Sequence, residues 1–304
     1  MSGLLGRRQF LELLAGAAAA GIMSGLAVPA IAESEPSLGY SVNAYIQQLR
    51  RAGRIPADER TAWSVYDFTA GSKCVSINED RPLQAASMIK PFLAQAYFFR
   101  HQENERRYPY NDLIRRKMEA MIRYSDNSAA NFFINRVGSG RPAANRPHEV
   151  EQVLKRHAGS IFQQTRIVEF IPKNGRSYRN KASAHDYSRF LYAMVKYRLP
   201  YADQIQYYMG LPNRDRIQDG AVDVPSSAKL LHKTGSTAHL CGDMGVIVAE
   251  GRKGGNYPYT FIGIIQKDRR ASHYGTWKRD RSNVIREVSN IVYTFMSKRY
   301  NLVA

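Results

Sequence analysis

Cysteine is nearly absent: Cys74 and Cys241 are the only two in 304 residues. A disulfide framework is therefore excluded as the source of stability, and the most that two cysteines allow is one bridge whose formation the sequence does not specify. Low-complexity tracts and internal repeats are missing too, which removes the disordered and fibrous classes. Beyond residue 32 no apolar run is long enough to span a bilayer. There is no phosphate-binding glycine loop and no dinucleotide fingerprint. His232 and His239 stand close together, but neither His-x-His-x-Asp nor His-Glu-x-x-His occurs. A zinc hydrolase thus lacks its ligand pattern, and no metal or cofactor is expected.

What is present describes an ordinary folded chain. Hydrophobic residues make up 44% and charged residues 23%, and the length suits one large or two modest domains. The first 32 residues read separately. Arg7-Arg8-Gln9-Phe10-Leu11 is a twin-arginine pattern, an alanine-rich apolar run extends from Leu13 to Val28, and Ala30-Ile31-Ala32 has the small-x-small form of a cleavage site. The stretch is expected to be a twin-arginine-type export signal rather than a membrane anchor, since Gly21, Gly25 and Pro29 interrupt it. The expected mature chain, 33–304, is periplasmic or secreted, with no stable membrane span after signal removal. Such substrates usually fold where thiols stay reduced.

The formal net charge is +18, and loss of Arg7, Arg8 and Glu12 removes a net +1 and leaves +17. In an exported protein such a surface points to anionic envelope polymers or phospholipid head groups rather than to nucleic acid. A generally basic solvated surface is the alternative. The 19 tyrosines suit glycan stacking or, more commonly, buried and boundary positions.

Periodicity organises the rest. Ser41–Ala52 has helical apolar spacing, and Trp63–Phe68 and Lys73–Ile77 alternate around a turn at Thr69-Ala70-Gly71-Ser72, which predicts a hairpin. Residues 105–205 read as mostly helical: Asn111–Tyr124, Asn127–Val137, Pro147–Ala158 and His185–Tyr197. Strands follow at Ala228–Lys233, Asp243–Ala249 and Thr260–Gln266, the last two joined by a turn at Gly254-Gly255, and a helix from Asp280 to Met296 closes the chain. The order predicts an α+β sandwich in which N- and C-terminal elements (38–85 and 228–304) build the sheet layer and a helical lobe (100–215) is inserted.

Three short motifs carry the chemistry. Ser87-Met88-Ile89-Lys90 opens an apolar helix, where Pro91 is tolerated only if the helix begins at or just before Ser87. Ser-x-x-Lys alone is weak, and a second match, Ser226-Ser227-Ala228-Lys229, opens no amphipathic helix. Ser125-Asp126-Asn127 sits at a break between two helices, where all three residue types also serve as caps. Lys233-Thr234-Gly235-Ser236 runs along a strand, where the glycine marks close approach of another backbone.

Taken together and in this order, the three motifs resemble the signature of penicillin-recognising serine acyl hydrolases, closest to class A β-lactamases. "YSDNSAANFFINRVG" and "HKTGSTAHLCGDMGVIVAEG" extend the likeness beyond the triplets. The resemblance implies an antiparallel five-stranded sheet flanked by helices, with an all-helical lobe. It implies Ser87 as nucleophile and Lys90 as its base, the amine made neutral by burial and by Lys233. Ser125 would relay a proton to the leaving nitrogen. Asn127, Thr234, Gly235 and Ser236 would bind substrate, with Lys233 and Thr234 on its carboxylate and the N–H groups of Ser87 and Ser236 on the oxyanion.

One departure stands out. The family carries a loop glutamate followed four residues later by asparagine, which activates the deacylating water. Here Glu169 is followed by Asn174 at spacing five. Glu169 is the candidate base. If it does not act, the acyl-enzyme turns over slowly, as in penicillin-binding proteins. The segment between Lys90 and Ser125 is also shorter than is usual for class A. The expected substrate is a β-lactam or a peptidoglycan-stem-like amide. A DD-peptidase and a non-catalytic basic envelope-binding module are the competing readings, and the intact Ser87, Lys90, Ser125 and Lys233 argue against the second.

Overall fold

A computed structural model describes residues 36–172 and 178–304. The expected export signal and Asn174 lie outside the described residues. Strand β1 (Glu59–Asp67) turns into β2 (Ser72–Ile77) as an antiparallel hairpin with a register shift between Val65 and Tyr66. β3 (Leu83–Gln84) and β4 (Lys181–Ala182) form a separate two-stranded ribbon. β5 (Lys229–Ser236), β6 (Leu240–Glu250) and β7 (Asn256–Lys267) form an antiparallel meander. β1 pairs with β7, so the two ends of the chain share one five-stranded sheet in the order β2-β1-β7-β6-β5. This is the expected α+β architecture, and it leaves β5 as an edge strand.

Both faces of the sheet are covered, which is why β6 and β7 read as nearly unbroken apolar runs. One face packs against α1 (Leu38–Arg51) and the long α8 (Tyr274–Tyr300). α1 is capped by the Ser37 side chain, and it buries Leu38, Val42, Ile46 and Leu49 at helical spacing. These residues join Trp63, Val75, Phe261, Ile285 and Val292 in one cluster. The other face meets the helical lobe: α2 (Lys90–Glu103), α3 (Asp112–Ile122), α4 (Asn127–Val137), α5 (Arg146–Ala158), α6 (Ala184–Val195) and α7 (Ala202–Met209). α2 is buried nearly all round, the pattern of a central helix. Its Phe92 ring lies 4.9–5.1 Å from those of Phe162, Tyr187 and Phe190. Among the described residues no helix is long and apolar enough to cross a membrane.

Three elements differ from the sequence reading. α2 opens at Lys90, and Ser87 stands before it in a 3-10 turn, Ala86–Ile89. Pro91 still fits, because it falls in the first turn, where its missing N–H is not needed. α7 went unforeseen, since eight residues give too short a window for periodicity, and Tyr201 enters it from a left-handed conformation at φ +57°. α8 begins at Tyr274, six residues earlier than Asp280, because its first turn buries only Trp277 and otherwise reads as polar.

The 3-10 turn presses directly on the sheet. A Cβ on Gly235 would stand 2.9 Å from Met88 Cγ and 3.1 Å from the Met88 nitrogen, and one on Gly242 would stand 2.9 Å from Met88 Cε. The backbone that approaches Gly235 is therefore the Ser87 turn itself, with Met88 as its plug. Gly235→Ala is expected to destabilise the protein by about 1–3 kcal/mol through overpacking, because a backbone nitrogen cannot give way. Urea unfolding measures this, and an unchanged midpoint would show that the turn does not need the glycine.

Candidate active site

Ser87 is delivered by a strained backbone. Ala86, just before it, adopts φ +46°, a left-handed conformation that costs an L-residue roughly 1–2 kcal/mol. Two buried neighbours, Met88 and Ile89, anchor the turn. Ser87 is half-buried, and its hydroxyl has no hydrogen-bond partner among the described residues. A 3-10 turn nearly eclipses positions three apart, so Ser87 and Lys90 remain on one side.

Lys90 is fully buried. Its Nζ donates to Ser125 Oγ at 3.1 Å, to Asn127 Oδ1 at 2.8 Å and to the Ser125 carbonyl. Three acceptors match the three protons of an ammonium. Burial opposes that charge, Lys233 repels it, and Asp126 offsets part of the loss. The amine is pushed down to about 7. When it is neutral, the Ser125 hydroxyl can reverse its bond and donate to the Nζ lone pair.

The Ser125-Asp126-Asn127 break divides its labour. Ser125 takes φ +57°, which turns both its carbonyl and its hydroxyl onto Lys90. Asp126 is the plain cap: its carboxylate accepts from the Ala129 N–H and the Ser128 hydroxyl, both at 2.6 Å. These bonds, with Lys90 nearby, hold it below the usual carboxylate range. Asn127 opens α4 and reaches Lys90.

β5 closes the other side. Lys233 is 2% exposed, and its Nζ donates to the Thr234 carbonyl at 3.2 Å. Burial pushes its amine down to about 8, opposed by Asp243 and assisted by Arg216. Thr234 is half-buried, and Ser236 Oγ accepts from the Tyr274 hydroxyl at 3.0 Å. Asp243 lies opposite Thr234 in the ladder. It accepts from the Arg216 N–H at 2.7 Å and faces His232 Nδ1 at 3.3 Å. His232 thus belongs to a buried polar network behind the strand.

The structure brings Ser87, Lys90, Ser125, Asn127 and Lys233 to one place. Among the described residues the Glu169 carboxylate bonds to none of these side chains. Arg179 takes both oxygens of that carboxylate, through its N–H at 2.6 Å and its Nε at 2.8 Å. The loop is held by two asparagines that sequence reasoning missed. Asn131, one helical turn after Asn127, clamps the Ile171 N–H at 2.7 Å and carbonyl at 3.0 Å. Asn180 clamps the Val168 N–H and both backbone groups of Glu169. Ile171, which is buried, is therefore the loop residue fastened to the α4 wall. Asn131 lies inside the quoted "YSDNSAANFFINRVG", where its i, i+4 relation to Asn127 was the available signal. For Asn180 and Arg216 no local pattern exists.

The Beta-lactamase enzyme family model matches residues 99–296. That range holds the Ser125-Asp126-Asn127 and Lys233-Thr234-Gly235 motifs and starts after Ser87 and Lys90. Among solved structures, PBP-A superposes with a TM-score of 0.66 at 20% identity, covering 85% of this chain and 96% of that one. TLA-1 extended-spectrum β-lactamase gives 0.64 at 17%, covering 86% and 98%. The β-lactamase from Desulfarculus baarsii DSM 2075 gives 0.63 at 15%, covering 85% and 98%. At these identities the likeness is one of fold. No curated protein matches the chain by sequence. The match over about two thirds of the sequence decides the family: this chain belongs to the β-lactamase enzyme family, whose members are serine hydrolases that act on β-lactams.

Proposed function

We propose that this protein is an exported serine acyl hydrolase that opens β-lactams, or D-alanyl-D-alanine-like amides, through an acyl-enzyme at Ser87, and that its deacylation is slow. The observation that carries the reading is the buried Lys90 amine held between Ser125 and Lys233. Lys90 in its neutral form takes the Ser87 proton as Oγ bonds to the carbonyl carbon. The resulting oxyanion is held by the N–H groups of Ser87 and Ser236. As the C–N bond breaks, Ser125 gives its proton to the leaving nitrogen and recovers one from Lys90, along the hydrogen bond already present. Lys233 and Thr234 hold the substrate carboxylate, and Asn127 its side-chain amide. A variant of PBP-A has been captured as an acyl-enzyme complex with penicillin G, which supports acylation on this fold.

Slow deacylation rests on the loop. With its carboxylate tied to Arg179, Glu169 is not free to activate water, and the loop residue fastened to α4 is the apolar Ile171. This favours the penicillin-binding-protein side of the family's range. Export rests on the twin-arginine pattern of residues 1–32. The basic surface, +17 after signal removal, suits anionic envelope polymers as partners.

Incubation with a fluorescent penicillin is expected to give a stoichiometric burst followed by slow turnover. Intact mass and peptide mapping should place the adduct on Ser87, and Ser87→Ala should give none. An adduct elsewhere, or none on the unsubstituted protein, contradicts the assignment. Burst-free rapid hydrolysis contradicts the slow step.

The pH dependence has a definite sign. Acylation needs Lys90 neutral and Lys233 charged. Acylation efficiency should therefore fall about tenfold per unit below pH 7 and fall again above about pH 8, a narrow bell whose limbs belong to the coupled pair. A plateau from pH 5 to 10 would contradict it.

A further inference from the structure

Tyr178 is 8% exposed, and its hydroxyl donates to the Ala86 carbonyl at 2.5 Å. Ala86 is the left-handed residue immediately before Ser87. The peptide joining them is trans, so its C=O and N–H point in opposite directions. Whatever fixes the Ala86 oxygen therefore fixes where the Ser87 N–H points. A hydrogen bond accepted by a peptide oxygen also polarises the same peptide's N–H and strengthens it as a donor.

The surroundings favour this use of the hydroxyl. The Ala85 N–H donates to the Asn180 carbonyl at 2.9 Å, two residues from Tyr178. The ribbon of β3 with β4 and the bridge between Arg166 and Lys181 close the neck of the same loop. The return limb is thus bolted to the turn at consecutive residues, 85 and 86. Burial pushes the Tyr178 hydroxyl up from its ordinary value, so it stays a proton donor throughout the working range.

We propose that Tyr178 is a positioning residue: by holding the Ala86 carbonyl it aims and polarises the Ser87 N–H as an oxyanion donor. This rests on the assignment of Ser87 as nucleophile. The loop then contributes to acylation through a peptide plane, whether or not it supplies a base for deacylation.

Tyr178→Phe removes only the hydroxyl. Its acylation rate constant should fall about tenfold, and affinity for a boronic acid that forms a tetrahedral adduct should fall in parallel. The decisive reading is infrared spectroscopy of the acyl-enzyme made with a 13C-carbonyl β-lactam. A weaker donor polarises the ester less, so the carbonyl band should move to higher frequency. Replacing Tyr178 with 3-fluorotyrosine keeps the ring and strengthens the donor, and should move the band the other way, which preserves the test if Tyr178→Phe folds poorly. An unmoved band in either variant, or an unchanged rate constant in a folded Tyr178→Phe, overturns the proposal. Failure of the unsubstituted protein to form any ester at Ser87 would instead overturn the nucleophile assignment on which it stands.

Discussion

Two lysine amines, Lys90 and Lys233, are buried close enough for each charge to be felt by the other. Taking one ammonium out of water costs several kcal/mol even after relaxation, and a second of like sign adds repulsion. The fold tolerates the pair because it surrounds Lys90 with three oxygen acceptors and sets Asp126 and Asp243 within reach. Much of the local backbone follows from this need. Ser125 adopts a left-handed conformation that points two oxygens at one amine. Gly235 lets β5 come against the Ser87 turn, which keeps Lys233 near. The net effect leaves Lys90 close to half-protonated near neutral pH and Lys233 still mostly charged, the condition in which one accepts a proton while the other holds an anion.

Elements from three regions of the chain meet here, and each is held by something other than the site. The Ser87 turn is plugged into the sheet by Met88. The Ser125 break is fixed by the Asp126 cap. β5 is paired along its length to β6, and behind it Arg216, Asp243, His232 and Ser282 form a buried polar network. Strained conformations at Ala86 and Ser125 persist because these anchors over-determine them. A rigid scaffold carrying two strained residues is what a site requires if donors are to be aimed before substrate arrives.

Much of this was legible in the sequence, for identifiable reasons. The Asn127–Val137 helix, the β1–β2 hairpin and the paired β6 and β7 follow from apolar spacing, which local burial enforces. Ser87, Lys90, Ser125 and Lys233 were singled out by the joint order of three motifs and its resemblance to a known family, since each motif alone also fits an ordinary helix start, cap or strand. Tyr178, Asn131, Asn180 and Arg216 act on backbone groups far away in the chain, and such contacts leave no mark on spacing. The Arg179 partner of Glu169 was not legible, because a carboxylate in a loop looks the same whether it faces water, substrate or an arginine. The 3-10 start of α2 was lost for a similar reason, since i, i+3 neighbours look alike in both helix types.

Lys90 is a neutral-range amine because of where it is buried and what lies beside it. Direct titration of 15N-labelled lysine Nζ by NMR tests this most simply. Lys90 should titrate near pH 7, and Lys233→Met, which removes the like charge, should raise it. A Lys90 that titrates near 10.5, or one that Lys233→Met leaves unmoved, would show that burial and the neighbouring amine do not set its protonation.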